Sequence, residues 1–356
     1  MGIDAPSVVV LPAADRRVVT WLRGLDGVRT ADEALAAAAT AGMGRQTAAA
    51  VLDALRASGA LDDADRAAGS LRLVGPAERA RLHPDLLAAG PVTFDVRATS
   101  RIRVQGTGRV ASTVATVLAA SGVGAVEVVE PATGRTLSPA DCAPAGPAPS
   151  QYARDAVEAV SAAVRRTAPS AATSVVGRPD LVVLADASHL RAVDAEPLLI
   201  DDVVHLPVTA HLARATVGPL VVPGVTGCLD CLALHRRDRD PHAPRVDLQL
   251  AYRRPRPVVP VALATAAAAH AALVVLSWLG RDEPTIAGTA PPPTTPPTGA
   301  GAAGVLPAGV LPAGVLPAGV LPDVFTTVLE LSTDGTTHST PAPAHPGCGC
   351  RWRQAG

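Results

Sequence analysis

Apolar residues in the first sixty positions recur at the spacing of amphipathic helices, separated by polar residues and glycines. Asp15 can cap a first helix that ends near Gly24, and Thr30 with Glu33 forms a T-x-x-E capping box for a second helix. A third helix spans QTAAAVLDALRASG, and the apolar SLRLV that follows a polar turn is typical of a β-wing. We therefore predict a winged-helix-like module within residues 1–97.

Five short segments after residue 100 alternate between strand and helix patterns. RIRVQ, VGAVEVVE and DLVVLAD are predicted to be strands, whereas ASTVATVLAA and DAVEAVSAAVRR are predicted to be helices. This alternation is typical of a parallel sheet with crossover helices. Residues 98–280 are thus predicted to form an α/β domain with a doubly wound, mostly parallel, Rossmann-like sheet.

Residues 258–279 form an almost uncharged run that is long enough to cross a bilayer. The run is rich in alanine, contains Pro260 and His270, and has no second apolar run of similar length beside it. Small side chains permit close contact between a helix and a sheet. We therefore predict a buried helix packed on the sheet, and no membrane partner.

Low-complexity sequence occupies residues 281–322, where PPPTTPPTGAG precedes four copies of AGVLP. Proline in every unit is incompatible with a regular helix or a central strand, so this segment is predicted to be a linker. Residues 323–356 alternate apolar positions around Asp334 and Gly335, which predicts a hairpin followed by the last cysteines. The linker is long enough to return this tail to the α/β domain.

Charge is balanced along the chain, with a formal net charge of −1, and all 31 basic residues are arginine. The third N-terminal helix has no basic cluster, so we predict a peptide-binding or structural role for the module and no nucleic-acid partner. The N-terminus lacks the basic and apolar regions of a secretory signal, which predicts a cytoplasmic protein. In that compartment, paired cysteines are more often metal ligands or redox groups than disulfides.

A glycine turn connects a predicted strand and helix in VQGTGRVASTVATVLAASGVGAVEVVE. Gly106, Gly108 and Ala111 match the G-x-G-x-x-G/A pattern, in which the backbone approaches a phosphate at a helix N-terminus. Glu130 ends the next strand, where an acid can accept hydrogen bonds from ribose hydroxyls. Asp186 ends the third strand and could hold Mg²⁺ on a triphosphate, or be a solvated carboxylate. A nucleotide pocket is the prediction; a turn that serves only the sheet is the alternative.

Four of the five cysteines form two close pairs. The pairs are Cys228 with Cys231 and Cys348 with Cys350. Four thiolates in two short chelating loops match a closed, structural zinc site. The alternatives are a redox C-x-x-C pair and a site in which His345 replaces one cysteine. Cys142 is a candidate nucleophile only by elimination, and we interpret it as inert.

The glycine turn, the acid after the second strand, DLVVLAD, PGVTGCLDCL and PVVPVALATAAAAHAALVVLSWLG together resemble the ThiF/MoeB/ubiquitin-activating-enzyme-like superfamily. The resemblance covers residues 98–280 and the final cysteine pair. It implies binding of ATP–Mg²⁺, adenylation of the C-terminal carboxylate of a small protein or peptide, and a structural zinc on the two cysteine pairs. By position, it implies phosphate contacts for the glycine turn, a ribose contact for Glu130 and a metal contact for Asp186.

Two features of that superfamily are missing. RTLSPADCAPAG stands where an S-N-L-x-R-Q-like segment usually supplies a phosphate-binding arginine, and the following helix has no lysine. Arg135 or Arg154 could compensate for these losses. Removing such charges typically lowers the rate of phosphoryl transfer by about 10²- to 10⁵-fold.

Two functional hypotheses follow from this pattern. The first is an adenylyltransferase of the ubiquitin-like modifier activating type, which activates the carboxylate of a small protein or peptide. The second is a non-catalytic component, because a winged helix ahead of a ThiF-like domain with degraded ATP residues also resembles the leader-peptide-binding partners of YcaO-type cyclodehydratases in ribosomal peptide biosynthesis. Family analogy adds a homodimer as an expectation. A DNA-binding regulator is the least favoured hypothesis.

Overall fold

The computed structural model describes residues 16–25, 29–57, 61, 69, 74–130, 134–187, 190–253, 258–281 and 321–350. The described residues separate into two compact units. One unit contains the first three helices, and the other contains everything from residue 74 onward. In this division residues 74–97 belong with the sheet.

The described part of the N-terminal unit contains three short helices. They are α1 (Arg16–Leu22), α2 (Ala31–Thr40) and α3 (Arg45–Ala57). The predicted capping box is present, because Thr30 N donates to Glu33 Oε2 (2.8 Å) and Glu33 N donates to Thr30 Oγ1 (3.3 Å). The three predicted helices are therefore confirmed. The predicted cap at Asp15 and nearly all of the predicted wing lie outside the described residues.

A small core holds these three helices together. Trp21, Ala38, Ala48 and Leu52 are buried in it. The indole Nε1 of Trp21 donates a hydrogen bond to the carbonyl oxygen of Ala34 (2.7 Å), which ties α1 to α2.

The second unit alternates helices with the strands of one sheet. Its elements are α4 (Pro76–Ala89), α5 (Pro91–Thr99), β1 (Arg101–Gln105), α6 (Arg109–Ala120), β2 (Ala125–Val129), α7 (Ala156–Thr167), β3 (Leu181–Ala187), α8 (Ala192–Ile200), β4 (Val204–Ala210), β5 (Arg214–Val217), α9 (Leu229–Arg239), α10 (Ala243–Arg253), α11 (Val261–Leu279), α12 (Asp323–Thr326), β6 (Thr327–Ser332) and β7 (Thr337–Pro341).

The seven strands lie in the order β2-β1-β3-β4-β5-β6-β7. The first four are parallel, and the last three extend the sheet in antiparallel fashion. This arrangement confirms the predicted α/β class with a mostly parallel, Rossmann-like sheet. The predicted C-terminal hairpin is also confirmed as β6 and β7, and its turn contains Gly335 at φ +85°.

Helix α11 is a core element. Among the described residues it is the one helix long and apolar enough to cross a membrane by length and composition. Ten of its residues are buried, and alanines on that face pack closely against α6 and against β4 and β5. The predicted buried helix is therefore confirmed.

Aromatic contacts join the two ends of the low-complexity segment, whose interior lies outside the described residues. The guanidinium carbon of Arg281 lies 5.3 Å from the ring centroid of Trp278 and 5.2 Å from that of Phe325. The two rings meet edge to face, with centroids 5.7 Å apart. Since β6 then pairs with β5, the predicted return of the tail to the α/β domain is confirmed.

His205 is a fully buried polar residue in the middle of the sheet. Its Nδ1–H donates to the carbonyl oxygen of Val203 (2.9 Å), and its Nε2 has no hydrogen-bond partner among the described residues. Burial lowers the pKa of this imidazole below its ordinary value of 6.5, since a charged ring would lose its hydration. His205 is therefore harder to protonate in the folded protein than in the unfolded chain.

We expect His205 to make the fold acid-sensitive. The unfolded chain binds a proton at this residue near pH 6.5, and the folded chain binds it only at a lower pH, so stability falls as pH drops through 6.5. The slope contributed is about 1.4 kcal/mol per pH unit. Urea unfolding at several pH values should show that the free energy of unfolding falls more steeply with decreasing pH for the parent chain than for His205→Phe. Parallel curves would contradict the expectation.

Candidate functional site

The carboxyl ends of β1, β2 and β3 bring the predicted nucleotide-binding residues to one edge of the sheet. Gly106 and Gly108 follow β1, Glu130 follows β2, and Asp186 lies at the end of β3. The strand order reverses between β1 and β3, and such switch points form ligand-binding crevices in α/β sheets. Ala111 is buried in the first turn of α6. The structure describes Asp186 by its backbone alone, so its role stays a prediction.

The glycine turn has the backbone that its sequence predicts. Gly106 has φ +122°, a conformation that favours glycine, and its N–H donates to the carbonyl oxygen of Val129 (2.8 Å). Gly108 is the N-cap of α6 and provides no capping side chain. The first N–H groups of α6 therefore have no acceptor within the helix, which gives this end partial positive charge.

A buried ionic cluster lies beside the turn. The Thr107 hydroxyl donates to Glu130 Oε2, and Arg135 Nη1 donates both to Thr107 Oγ1 and to Glu130 Oε2 (3.0 Å for the latter). Arg135 Nη2 donates to Asp141 Oδ1 (2.7 Å). The side chains of Glu130, Arg135 and Asp141 are 7%, 8% and 10% exposed. Two carboxylates thus share one guanidinium in an environment with little water.

Asp141 is held in turn by the short helix that it ends. Its Oδ2 accepts hydrogen bonds from the backbone N–H and the hydroxyl of Ser138 (2.8 and 2.7 Å). The sequence signal for this contact is the S-P-A-D segment, a helix-start pattern that sequence reasoning did not use. The ion pair between Asp141 and Arg135 connects this segment to the glycine turn, because Arg135 also donates to Thr107.

The cations near the turn are arranged differently from the expectation. Arg135, one of the two arginines that could compensate for missing phosphate contacts, is committed to Glu130 and Asp141. Arg154 is exposed, and its backbone carbonyl accepts from Leu137 N (2.9 Å). A third arginine, Arg109, opens α6 and donates to the carbonyl oxygens of two neighbouring segments. Sequence reasoning did not single out Arg109, although it follows directly on Gly108.

Cys142 has the environment of an unreactive thiol. Burial and the negative charge of Asp141 raise its pKa, which keeps the thiol protonated. Its Sγ contacts the carbonyl oxygen of Ser138 at 3.9 Å. These facts favour the inert interpretation over a nucleophile.

The four paired cysteines meet at one point. Their Sγ atoms all lie within 4.8 Å of one another, at 3.8 Å for Cys228–Cys231, 3.7 Å for Cys228–Cys348 and 3.5 Å for Cys231–Cys350. Four sulfurs around one tetrahedral ion at about 2.3 Å would be separated by about 3.8 Å. The cluster therefore fits a metal ion with four thiolate ligands.

The alternative arrangements of this cluster are less consistent with the contacts. His345 uses both ring nitrogens elsewhere, since Nε2 bonds Asp238 Oδ2 (2.8 Å) and Nδ1 accepts from Gly347 N (2.9 Å). Cys228 is the N-cap of α9, a position that also suits redox pairs. The pKa of Cys231 is lowered to about 4, chiefly by the hydrogen bond from Cys228. A redox pair needs only Cys228 and Cys231. The presence of the two tail thiols beside them therefore favours a metal site over a redox pair.

Packing around the cluster fixes the tail against α9. A Cβ at Gly227 would lie 2.5 Å from the carbonyl oxygen of Ala342, so glycine is required for this close approach. The His235 and His345 rings meet edge to face at 4.7 Å, and His235 Nε2 bonds the Pro343 carbonyl (3.1 Å). The thiol cluster therefore belongs to a larger contact between α9 and the tail.

A cavity of about 1420 Å³, called the trough below, lies between strands β4 to β7 and helices α9 and α10. Its lining includes the start of α8, the β4–β5 turn and the tail residues Ala342 and Pro343. One wall is thus the part of the tail that the cysteine cluster holds in place.

Comparison with known proteins places this fold in a class. No family model and no curated protein sequence matches the chain. Solved structures do match, and they share the α/β, mostly parallel, Rossmann-like fold described above.

Particular matches are structures of MccB from E. coli. MccB with ATP has a TM-score of 0.56 at 14% identity, over 95% of this chain and 93% of that chain. MccB with selenomethionine MccA has a TM-score of 0.57 at 15% identity, over 89% and 85%. PaaA has a TM-score of 0.51 at 12% identity, over 76% and 85%. At these identities the likeness shows a common fold.

Replacing Cys348 tests the metal cluster. We expect Cys348→Ser to reduce bound metal and to speed hydrogen exchange in residues 341–350, because three thiolates leave one position to water. The affinity should fall by more than the roughly 10- to 100-fold caused by losing an outer-shell partner. Metal analysis of purified protein checks this, and Cys142→Ser is the matched control that should retain the ion. A metal-free parent chain with a protected tail would refute the cluster's role.

Replacing Arg135 tests the ionic cluster. Arg135→Gln leaves two buried carboxylates without a cation, so the free energy of unfolding should fall by about 3–5 kcal/mol. The exposed Arg154, changed to Gln, should alter it by about 0.5 kcal/mol or less. Urea unfolding of both variants decides the matter. Equal stability of the two variants would mean that Glu130 and Asp141 do not depend on Arg135.

Proposed function

We propose that this chain binds ATP–Mg²⁺ at the glycine turn and adenylates the C-terminal carboxylate of a peptide or small protein. The observation that carries the proposal is the meeting of the turn, Glu130 and the end of β3 at one edge, at the switch point of the sheet. Structures of MccB with ATP and with MccA support it, because the chain shares that fold over most of its length.

Each proposed role follows from position and chemistry. The N–H groups of the turn and of the first turn of α6 would hold phosphate oxygens. Glu130 would accept a ribose hydroxyl through Oε1, since Oε2 already accepts from Thr107 and Arg135. Asp186 would hold Mg²⁺. ATP supplies the leaving group: the peptide carboxylate oxygen bonds to the α-phosphorus as the bond to pyrophosphate breaks.

The charge of the site predicts a slow reaction. Glu130, Asp141 and Arg135 together carry one net negative charge, and the chain has no lysine to place on a phosphate. Arg109 and Arg154 are the cations in nearby segments that are not committed to carboxylates among the described ion pairs. We propose that they take the place of the missing family residues.

The cysteine cluster is proposed to hold zinc with a structural role. With four thiolates, a tetrahedral ion has no open position for catalysis. We also propose a cytoplasmic location, because four thiols stay reduced there. The proposed partner is a precursor peptide or a small protein, and the proposed oligomeric state is a homodimer. The trough, which lies next to β4, is the proposed place of the peptide.

A second candidate is a non-catalytic, leader-peptide-binding partner of a YcaO-type cyclodehydratase. The observation that favours it is the commitment of Arg135 to Glu130 and Asp141, which removes a cation from the phosphates. In this hypothesis the three-helix N-terminal unit contacts the leader peptide, and another subunit performs the ATP chemistry.

ATP–pyrophosphate exchange with candidate peptides separates the two. We expect peptide-dependent exchange, and Asp186→Asn should lower its rate by about 10²- to 10³-fold. Asp201→Asn, an exposed carboxylate at the end of α8, is the matched control and should leave the rate unchanged. A chain that neither exchanges pyrophosphate nor binds ATP would refute adenylation. Leader-peptide binding by such a chain would then establish the second candidate.

A further inference from the structure

Large aliphatic side chains line the trough and remain in contact with solvent. Leu212 in the β4–β5 turn is 66% exposed, Leu248 on α10 is 62% exposed, and Val258 before α11 is 62% exposed. Three separate segments therefore present apolar surface to one cavity. A cavity lined by exposed apolar side chains together with a few polar groups is typical of a ligand-binding site.

Most charged side chains of the trough are neutralised by ion pairs, either with another lining residue or with a neighbour outside the lining. Arg191 binds Asp194 (2.8 Å) and Arg236 binds Asp247 (2.9 Å). On the strand side, Glu330 binds Arg214 at 2.8 Å. A strongly charged ligand would have to compete with these pairs, whereas an aliphatic ligand leaves them intact.

The remaining two ionic groups of the lining are Asp238, which is paired, and Arg239, which is not paired with a carboxylate among the described residues. Asp238 accepts from His345 (2.8 Å) and from Arg237, and these contacts lower its pKa. Arg239 donates through Nε to the carbonyl oxygen of His235 (3.2 Å) and has no carboxylate partner among the described residues. Arg239 is thus the one cation of the lining that could pair with a negatively charged group of a ligand.

The shape of the trough suits an extended chain. Its volume of about 1420 Å³ exceeds the roughly 300–1,000 Å³ of pockets that hold drug-sized ligands. Thr340 and Pro341 line it, and they belong to β7, the edge strand of the sheet, whose five residues are all exposed. An edge strand can bind an extended peptide through its backbone, and adjacent pockets then select alternate side chains.

From these features we infer that the trough selects a peptide segment with bulky aliphatic side chains, and not the glycine-rich tail of a ubiquitin-like modifier. This inference rests on the proposed function in taking the ligand to be a peptide. A glycine tail has no side chain to cover Leu212, Leu248 and Val258, so their apolar surface would stay in water. Aliphatic side chains at alternate positions bury that surface.

Fluorescence anisotropy with the full chain, loaded with metal and without ATP, tests the inference. The probes are two fluorescein-labelled hexapeptides, Leu-Ser repeated three times and Gly-Ser repeated three times. We expect the leucine probe to bind at least about tenfold more tightly. Leu212→Asp and Leu248→Asp should each weaken its binding by about 10- to 100-fold, the equivalent of burying one aliphatic side chain.

Val92→Asp is the matched control, because Val92 is 73% exposed on α5 and is not among the residues that line the trough. It should leave the affinity unchanged, and thermal unfolding should show that all three variants are folded. Equal affinities for the two probes, no binding of either at millimolar concentration, or an equal loss in the control would overturn the inference. Absence of pyrophosphate exchange with leucine-probe binding intact would refute adenylation and leave the selectivity of the trough standing.

Discussion

The contact between the four cysteines determines how the C-terminal part of this chain is organised. Two thiols belong to the start of α9 and two to the tail, and residues 232–347 lie between the pairs. Closing a loop of this length costs about 4–5 kcal/mol, whereas structural zinc binds small peptides with about 10–16 kcal/mol. Because the hairpin precedes the last cysteines, the same contact keeps β6 and β7 on the edge of the sheet and holds one wall of the trough.

At the glycine turn, the nearby positive charge of Arg135 is paired with carboxylates of the protein itself. A phosphate-binding site gains from cations that face the ligand, yet here the guanidinium of Arg135 is surrounded by two carboxylates and a threonine hydroxyl. The cluster stabilises the segment after β2 and orients Glu130. As a result, the positive charge of Arg135 is not available to a phosphate group of a ligand. If the proposed nucleotide site is correct, this distribution of charge would suit a nucleoside better than a triphosphate.

Much of the fold could be predicted from the sequence because its signals are local. RIRVQ corresponds to β1 at both ends, and the Thr30 capping box forms as predicted. The antiparallel extension could not be predicted in full, since β5 has four residues and the turn before it contains no glycine or proline. Helices α9 and α10 were also missed; the sequence of α9 is polar and lacks a continuous apolar face.

Candidate site residues divide in the same way. Gly106, Gly108 and the four cysteines were found because spacing alone identifies them. The pairing of Arg135 with both Glu130 and Asp141 depends on how the segment after β2 folds back, and no periodic pattern encodes that. The trough was not foreseen for a related reason: its walls come from segments distant in sequence that meet only when the tail is in place.

The contacts of Arg281 with Trp278 and Phe325 also bear on the length of the low-complexity segment. Because Trp278, Arg281 and Phe325 bring the two ends of that segment together, a change in the number of residues between them would leave these contacts in place. The entropy of closing a flexible loop grows only with the logarithm of its length, so doubling it costs about 0.6 kcal/mol. Unequal copying of a five-residue repeat can therefore add or remove AGVLP units without disturbing the sheet. This position is one where the gene can vary in length and the protein can still fold.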